Sequence, residues 1–297
     1  MDAYLYGQVL GTHSFYLRDG FVQPDEYSEL SAKYFLPGGE TGTAATVLAS
    51  LGVNVKLDGT HIGTEVGSML KEFYKNKSVD LSSLKFDPLY TGLMDYVLVD
   101  GLTRTPMGFF QSLYQQGIKR WNVPNEQDVI DCKVAAVDPF FQEESEKACE
   151  LCVKHHKPYV TIDCRHDTYY HQHAEINVVS KECSETGEYK GKSKEEIYEL
   201  LTQTTDGLVI ITTGEKDMIW GRRGESAHHT KPFSVEVKST LGAGDTFKAG
   251  CVYGLLKGMS DEEIVRFASA CSGVAISRYP LPLNPPTLQE VEKLLGK

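Results

Sequence analysis

Short apolar runs alternate with amphipathic segments for most of the chain. The runs fall at 3–9, 53–57, 134–137, 159–163, 176–179 and 208–212, the length and continuity of strands buried on both faces. Helical spacing follows Gly42, Glu65, Glu143, Ser193, Gly244, Ser260 and Thr287. Three of these starts have capping-box spacing, Ser193 with Glu196, Ser260 with Glu263 and Thr287 with Glu290, in which the hydroxyl and the carboxylate each satisfy one free backbone N–H. The alternation predicts an α/β fold of three layers: a doubly wound, mainly parallel sheet with helices on both sides.

Two stretches break that rhythm. Residues 10–36 are polar and aromatic without helical period, and residues 91–110 read as two strands joined at Asp100-Gly101, a favoured hairpin turn. With no helix between their strands, they are expected to form a small separate β-sheet inserted into a single domain spanning 1–297. Placed over the C-terminal edge of the main sheet, it would be a lid that excludes water.

Composition narrows the partners. With 41 acidic and 30 basic residues the formal charge is −11, which opposes generic binding to nucleic acid or anionic membrane. No apolar run approaches the roughly eighteen residues of a membrane span, and the N-terminus lacks a signal-peptide pattern. A cytoplasmic location follows as the expectation. Seven scattered cysteines fit reduced thiols, Cys149 and Cys152 included, and no second pair completes a zinc site. His155-His156 and the group His166, His171 and His173 are expected in a polar surface loop.

The segment Thr240-Leu241-Gly242-Ala243-Gly244-Asp245-Thr246-Phe247 carries the chemistry. Phe247, Cys251, Val252, Leu255 and Leu256 recur at helical spacing, so the glycines occupy a first turn whose backbone N–H groups lack partners and attract an anion. Asp245 stands beside that hole. A carboxylate there repels a resting phosphate but is well placed to accept a proton from a hydroxyl attacking phosphorus. The competing reading is a tight turn with Asp245 as a dipole-favoured first-turn residue. Phe247 stands where a G-x-G-x-x-G motif needs its third glycine, and no G-x-x-x-x-G-K-[ST] occurs.

The segment 240–250, TLGAGDTFKAG, resembles the C-terminal signature of the ribokinase-like, or PfkB-type, carbohydrate kinases, with wording similar to the ketohexokinase branch. Gly38-Gly39-Glu40-Thr41-Gly42-Thr43-Ala44-Ala45 has the length and glycine spacing of that family's N-terminal signature. Gly63-Thr64-Glu65, Thr91-Gly92 and Thr213-Gly214-Glu215-Lys216 are similar to further landmarks in the same order. The resemblance implies ATP with Mg²⁺ as donor and transfer of the γ-phosphoryl group to an alcohol of a sugar or polyol. It makes Asp245 the base and the N–H groups of Gly242, Ala243 and Gly244 the anion hole. It sets Thr213, Gly214, Lys216, Thr240 and Gly273 beside the nucleotide, and Thr12, Gly38, Gly39, Glu40, Thr43 and Arg104 on the substrate side.

The chain departs from the pattern in places. Thr12 stands where the family usually has an aspartate, and Thr43 where it has a substrate-binding asparagine; Glu40, His13 or Arg104 are the candidates to replace those contacts. Ser239 follows Lys238 where an acidic residue would help hold a monovalent cation, which argues against potassium activation. The Mg-phosphate motif has become Lys181-Glu182-Cys183-Ser184, leaving Glu182 to act on the metal through water or to be an exposed loop carboxylate. Lys248 either reaches phosphate or pairs with Asp245 on the helix surface, and Arg222-Arg223 either steers ATP or is a solvated turn. The aromatics Phe15, Tyr16, Phe21 and Tyr27 keep a nucleoside kinase open as an alternative, and the altered motifs a catalytically weak ligand-binding homologue. Exposed lid edges would be blunted by pairing in a homodimer.

Overall fold

The computed structural model describes residues 1–100, 103–115 and 117–296. In chain order the strands are β1 (Ala3–Gly7), β2 (Leu10–Leu17), β3 (Leu30–Gly38), β4 (Val55–Gly59), β5 (Val79–Asp80), β6 (Met94–Val99), β7 (Arg104–Gly108), β8 (Val134–Val137), β9 (Tyr159–Ile162), β10 (Ile176–Val179), β11 (Leu208–Ile211), β12 (Met218–Gly221) and β13 (His228–Thr230). The large sheet runs β13-β12-β11-β10-β9-β8-β1-β4-β5. Its strands are parallel except for β12 and β13, which extend the β11 edge antiparallel.

Period-two alternation sorts each strand between two helix layers. Ala3 and Leu5 of β1, Val55 and Leu57 of β4, and Ile176 and Val178 of β10 pack in one apolar cluster with Phe247, Cys251 and Val252 of the Ala243–Leu256 helix. Tyr4 and Tyr6 of β1, Ala135 and Val137 of β8 and Tyr159 of β9 face the other side, against Ala148, Cys149 and Cys152 of the Glu143–Lys154 helix. Each fully buried Leu or Ile contributes about 1.5–3 kcal/mol, so residues alternating within one strand hold both helix layers to it. Cys149 and Cys152 are core side chains, and burial pushes both thiols well above their ordinary range.

The second sheet has the order β3-β2-β6-β7. β2 pairs antiparallel with β3 and parallel with β6, and β6 pairs antiparallel with β7. Residues 10–36 and 91–110 thus meet in one sheet, as their lack of helical period predicts. Of the expected turn, Gly101 lies outside the described residues; Asp100 Oδ1 accepts a 2.6 Å bond from Thr103 N.

All three capping boxes form. Two helices begin earlier than their sequence signals, at Glu40 and Ala243, because Gly39 (φ 76°) and Gly242 (φ 79°) adopt left-handed backbone at their N-caps. The histidine group is only partly a surface loop, with His166 in a turn and His173 exposed. Tyr169–His173 is a short helix, His171 is fully buried with Nε2 2.9 Å from the Leu201 carbonyl, and desolvation lowers its pKa. Arg222 is clamped at 2.7 Å to Asp261 and 2.9 Å to Glu175, tying the end of β12 to the Asp261–Ile276 helix.

Candidate active site

From β1 the chain crosses to β4 and β5 on one side, and later returns to β8, β9, β10 and β11 on the other. The reversal lies between β1 and β8, and ligands of open α/β sheets bind beyond the strand C-termini at such a point. A cavity of about 220 Å³ opens there, between the strand ends and the small sheet. Gln8 follows β1, Glu40 starts one helix, Gly242 and Asp245 start another, and Thr12, Ser14 and Asp95 come from the small sheet.

Two glycines bring the first helix to the strand end. A Cβ on Gly39 would lie 2.4 Å from the Gln8 carbonyl oxygen, and one on Gly38 would lie 1.8 Å from Thr12 Oγ1. The Gln8 carbonyl accepts from Thr41 N at 3.2 Å and Gly42 N at 3.3 Å. Glu40 therefore projects from a helix start held against β1, and its Oε2 is buried without a hydrogen-bond partner. Desolvation, with the charge of Asp138 adding to it, pushes its carboxyl well above the usual range.

At the second helix start, Ala243 N donates to the Thr240 carbonyl at 3.3 Å. Among the described residues no acceptor faces the N–H groups of Gly242 or Gly244. Asp245, half-buried on the cavity wall, has a pKa raised to about 6. Loss of solvent is the main cause and Asp138 adds to it, while Lys248 and Arg104 pull the other way. Above about pH 6 the carboxyl is ionised and able to accept a proton.

Lys248 is not on the helix surface. It is fully buried and ion-paired with Asp138, itself fully buried at the end of β8. Asp138 Oδ2 also accepts from the Thr41 hydroxyl at 2.5 Å. Asp138, Glu40 and Asp245 together hold the ammonium in its charged form against the cost of burial. Lys248 thus ties the Ala243–Leu256 helix to β8 from beneath the cavity.

Arg104 reaches from β7 to Thr240 Oγ1 at 3.2 Å and to Glu182 at 3.3 Å. It sits on the anion-hole side and does not line the cavity. Glu182 is largely exposed and paired with that arginine. Thr213 closes a turn after β11, donating to the carbonyls of Lys216 (2.7 Å) and Asp217 (3.0 Å), with Gly214 at φ 68° and open space where its Cβ would be. Gly273 is packed: a Cβ there would meet Leu294 Cδ2 at 3.2 Å, and its neighbour Ser272 donates to the Ala243 carbonyl at 2.7 Å. His13 faces away from the cavity, stacked between Phe35 (4.2 Å) and Tyr96 (5.1 Å).

The free N–H groups at the second helix start suit a phosphate. Among the described residues no group of three or more His, Cys, Asp or Glu side chains is arranged to hold a metal ion. Mg²⁺ in phosphoryl-transfer sites is held by phosphates, waters and one or two carboxylates; Glu182, joined to the Thr240 side through Arg104, is a carboxylate there.

A pfkB family carbohydrate kinase profile matches residues 13–286. The chain belongs to that family. It is 24% identical over 165 residues to a 5-dehydro-2-deoxygluconokinase of Bacillus licheniformis, a match covering 50% of each protein, so it spans about half the length of that relative. Among solved structures it resembles the Arabidopsis thaliana ribokinase complexed with ribose and ATP (TM-score 0.81, 16% identity, 100% of this chain and 99% of that one). It also resembles the Methanocaldococcus jannaschii nucleoside kinase (TM-score 0.79, 16% identity, 100% and 98%). These likenesses establish a ribokinase-like fold, with the mainly parallel sheet and second small sheet expected.

In this member of the pfkB family, Gly38, Gly39, Glu40, Thr43, Thr12, Gly242 and Asp245 meet at one cavity, while Thr213, Gly214 and Lys216 share a separate turn. Sequence reasoning did not find Asp138, Asp95, Gln8 or Ser14. Asp138 ends a four-residue apolar strand and had no local signal of its partner 110 positions away. Asp95 did have one: it shares strand parity with the buried Val97 and Val99, so a carboxylate stands on the covered face of β6.

Proposed function

We propose that this chain transfers the γ-phosphoryl group of ATP to a hydroxyl of a small sugar or polyol. One observation carries the proposal: a carboxyl with a pKa near 6 lines the cavity beside two unpartnered N–H groups at a helix start. A hydroxyl in the cavity approaches Asp245, which accepts its proton as the oxygen attacks phosphorus. The N–H groups of Gly242 and Gly244 receive the negative oxygens of the transferring group, with Ala243 contributing if its long bond to Thr240 yields. Arg104, anchored on Thr240, adds positive charge on that side.

The turn Thr213–Lys216 would border the nucleotide, and Glu182 would meet Mg²⁺ through water. Bound Mg²⁺ supplies neutralisation of phosphate charge. The small sheet acts as a lid, keeping bulk water from the phosphoryl group. Its outer strand β7, exposed at all five residues, would be the edge a second copy covers in a homodimer.

Support for a sugar over a nucleoside comes from the wall. None of Phe15, Tyr16, Phe21 and Tyr27 lines the cavity; Tyr16 packs on Tyr279 at 4.9 Å, and Phe21 and Tyr27 are exposed. No helix among the described residues is long and apolar enough to cross a membrane. The test is coupled-assay turnover of Asp245→Asn. Loss of several powers of ten in kcat with ATP affinity within a few fold is the expected result, and undiminished turnover would remove Asp245 from the base role.

A further inference from the structure

We propose that Asp95 is the carboxylate that grips substrate hydroxyls in this site, delivered by β6 where Thr12 brings no charge, and that with Glu40 it selects an uncharged polyhydroxyl substrate over an acid or phosphorylated sugar. The inference rests on the kinase reading and specifies what its cavity accepts.

Register places the group. Asp95 lies directly opposite Thr12 in the parallel β2–β6 pairing and opposite Gly108 in the antiparallel β6–β7 pairing. Its flanking neighbours in the sheet are thus a threonine and a residue with no side chain, with the Phe110 ring against Gly108. It lines the cavity, yet Oδ1 is shielded from solvent and has no hydrogen-bond partner. Glu40 Oε2 is in the same condition on the opposite wall element. Unsatisfied buried carboxyl oxygens cost about 1–3 kcal/mol each, a cost that a bound donor removes. Sugar hydroxyls complete them: a carboxylate accepts from two neighbouring hydroxyls at once. Desolvation raises the Asp95 pKa to about 6, with the Thr12 hydroxyl opposing the rise, so it is mainly an acceptor above that pH.

The sign of the charge then decides among sugars. Among the described residues the lining includes Glu40, Asp95 and Asp245 and no lysine or arginine. The two nearby cations are engaged elsewhere, Lys248 with Asp138 beneath the floor and Arg104 with Thr240 and Glu182 on the phosphoryl side. A carboxylate or phosphate carried into the sugar end would meet Asp95 and Asp245 on the wall with no lysine or arginine beside them there. A neutral polyol meets acceptors for its hydroxyls.

The test is Mg-ATP-dependent phosphorylation of a panel of neutral aldoses, ketoses and alditols together with aldonic acids and sugar phosphates, using wild type, Asp95→Asn and Asp95→Ser. Wild type is expected to phosphorylate neutral members at least tenfold better in kcat/KM than charged ones. Asp95→Asn is expected to raise the KM of the best neutral substrate at least tenfold with kcat within about threefold, and to narrow its preference over the matching acid. Thermal melts confirm folding, and Asp95→Ser is read should the asparagine variant not fold. Preference for charged sugars, or an unchanged KM in a folded Asp95 variant, overturns this inference and leaves the kinase reading standing. No phosphorylation of any member by wild type overturns both.

Discussion

The buried pair of Lys248 and Asp138 makes a demand that can be worked through in numbers. Both side chains are fully inaccessible, and the ammonium's other charged neighbours are Glu40 and Asp245. Lys248→Met keeps the length of the side chain and removes its charge, leaving Asp138 with Thr41 as its side-chain donor. Stranding one partner of a buried pair costs about 3–5 kcal/mol. A chain of 297 residues has an unfolding entropy near 0.6 kcal/mol/K at about 2.1 cal/mol/K per residue, so the Tm should fall by about 5–8 °C. Asp138→Asn strands the lysine instead and should cost a similar amount. The double variant should lose at least about 2 kcal/mol less than the sum of the two, because it strands neither charge.

The same variant moves the chemistry. Lys248 pulls the Asp245 pKa down, so its removal raises that pKa beyond about 6 and shifts the acid limb of kcat/KM to higher pH. It also raises the Glu40 pKa, which the lysine likewise depresses. A carboxyl whose folded pKa is raised loses stabilisation as pH increases through that pKa; the Tm deficit of Lys248→Met should therefore shrink as pH falls from 8 to 6. Calorimetry across pH with a parallel rate profile measures both. A Tm loss under about 2 °C, strictly additive single variants, or an unmoved acid limb would refute the reasoning.

Asp245→Asn should raise the Tm at pH 7.5 even as it abolishes turnover. Raising the carboxyl from 3.8 to about 6 means that its ionised form destabilises the fold by up to about 3 kcal/mol, an effect fully present above pH 6 and gone below about pH 4; a Tm unchanged across that window would count against the raised pKa. Gly39→Ala should cost at least about 2 kcal/mol by denaturant unfolding, since it places a Cβ 2.4 Å from the Gln8 carbonyl oxygen at φ 76°; a variant as stable as wild type would show that the helix start is not pinned to β1.

The sheet and its covering helices were legible because their signals are local. Three capping boxes, six apolar runs and the lack of helical period at 10–36 and 91–110 each report on a few neighbouring residues, and each element appears where that chemistry puts it. The antiparallel extension β12–β13 was missed because β13 is a three-residue strand, His228–Thr230, with no buried member. The helix that starts at Ala243 was readable from Gly242 to Phe247, but the fate of Lys248 was not. At i+3 from Asp245 it read as a cation reaching phosphate or as a surface pair, whereas its partner comes from the end of β8, and only the packing of that strand against the helix buries both. Arg222 follows the same logic: its partners Asp261 and Glu175 are 39 and 47 positions away.

Substrate chemistry sits at the far end of that scale. Taken singly, Thr12 and Thr43 suggest a site that has lost its sugar contacts, and a sequence can register only the loss. Strand pairing changes the account, because the side chain opposite Thr12 is Asp95, contributed by a segment more than eighty positions later. A carboxylate absent from one strand of a sheet and present on its neighbour, with the same orientation toward the cavity, leaves the local electrostatics nearly as they were. The unit that specifies the polyol site is therefore the pair Thr12–Asp95 and not either residue, and a covered-face aspartate beside two valines is the one linear trace of it. Placement of the cations follows the same economy of charge: Lys248 and Arg104 are ion-paired with Asp138 and Glu182 and do not line the cavity, so the wall that Asp95 shares offers acceptors to a neutral alcohol and no cation to an anionic one.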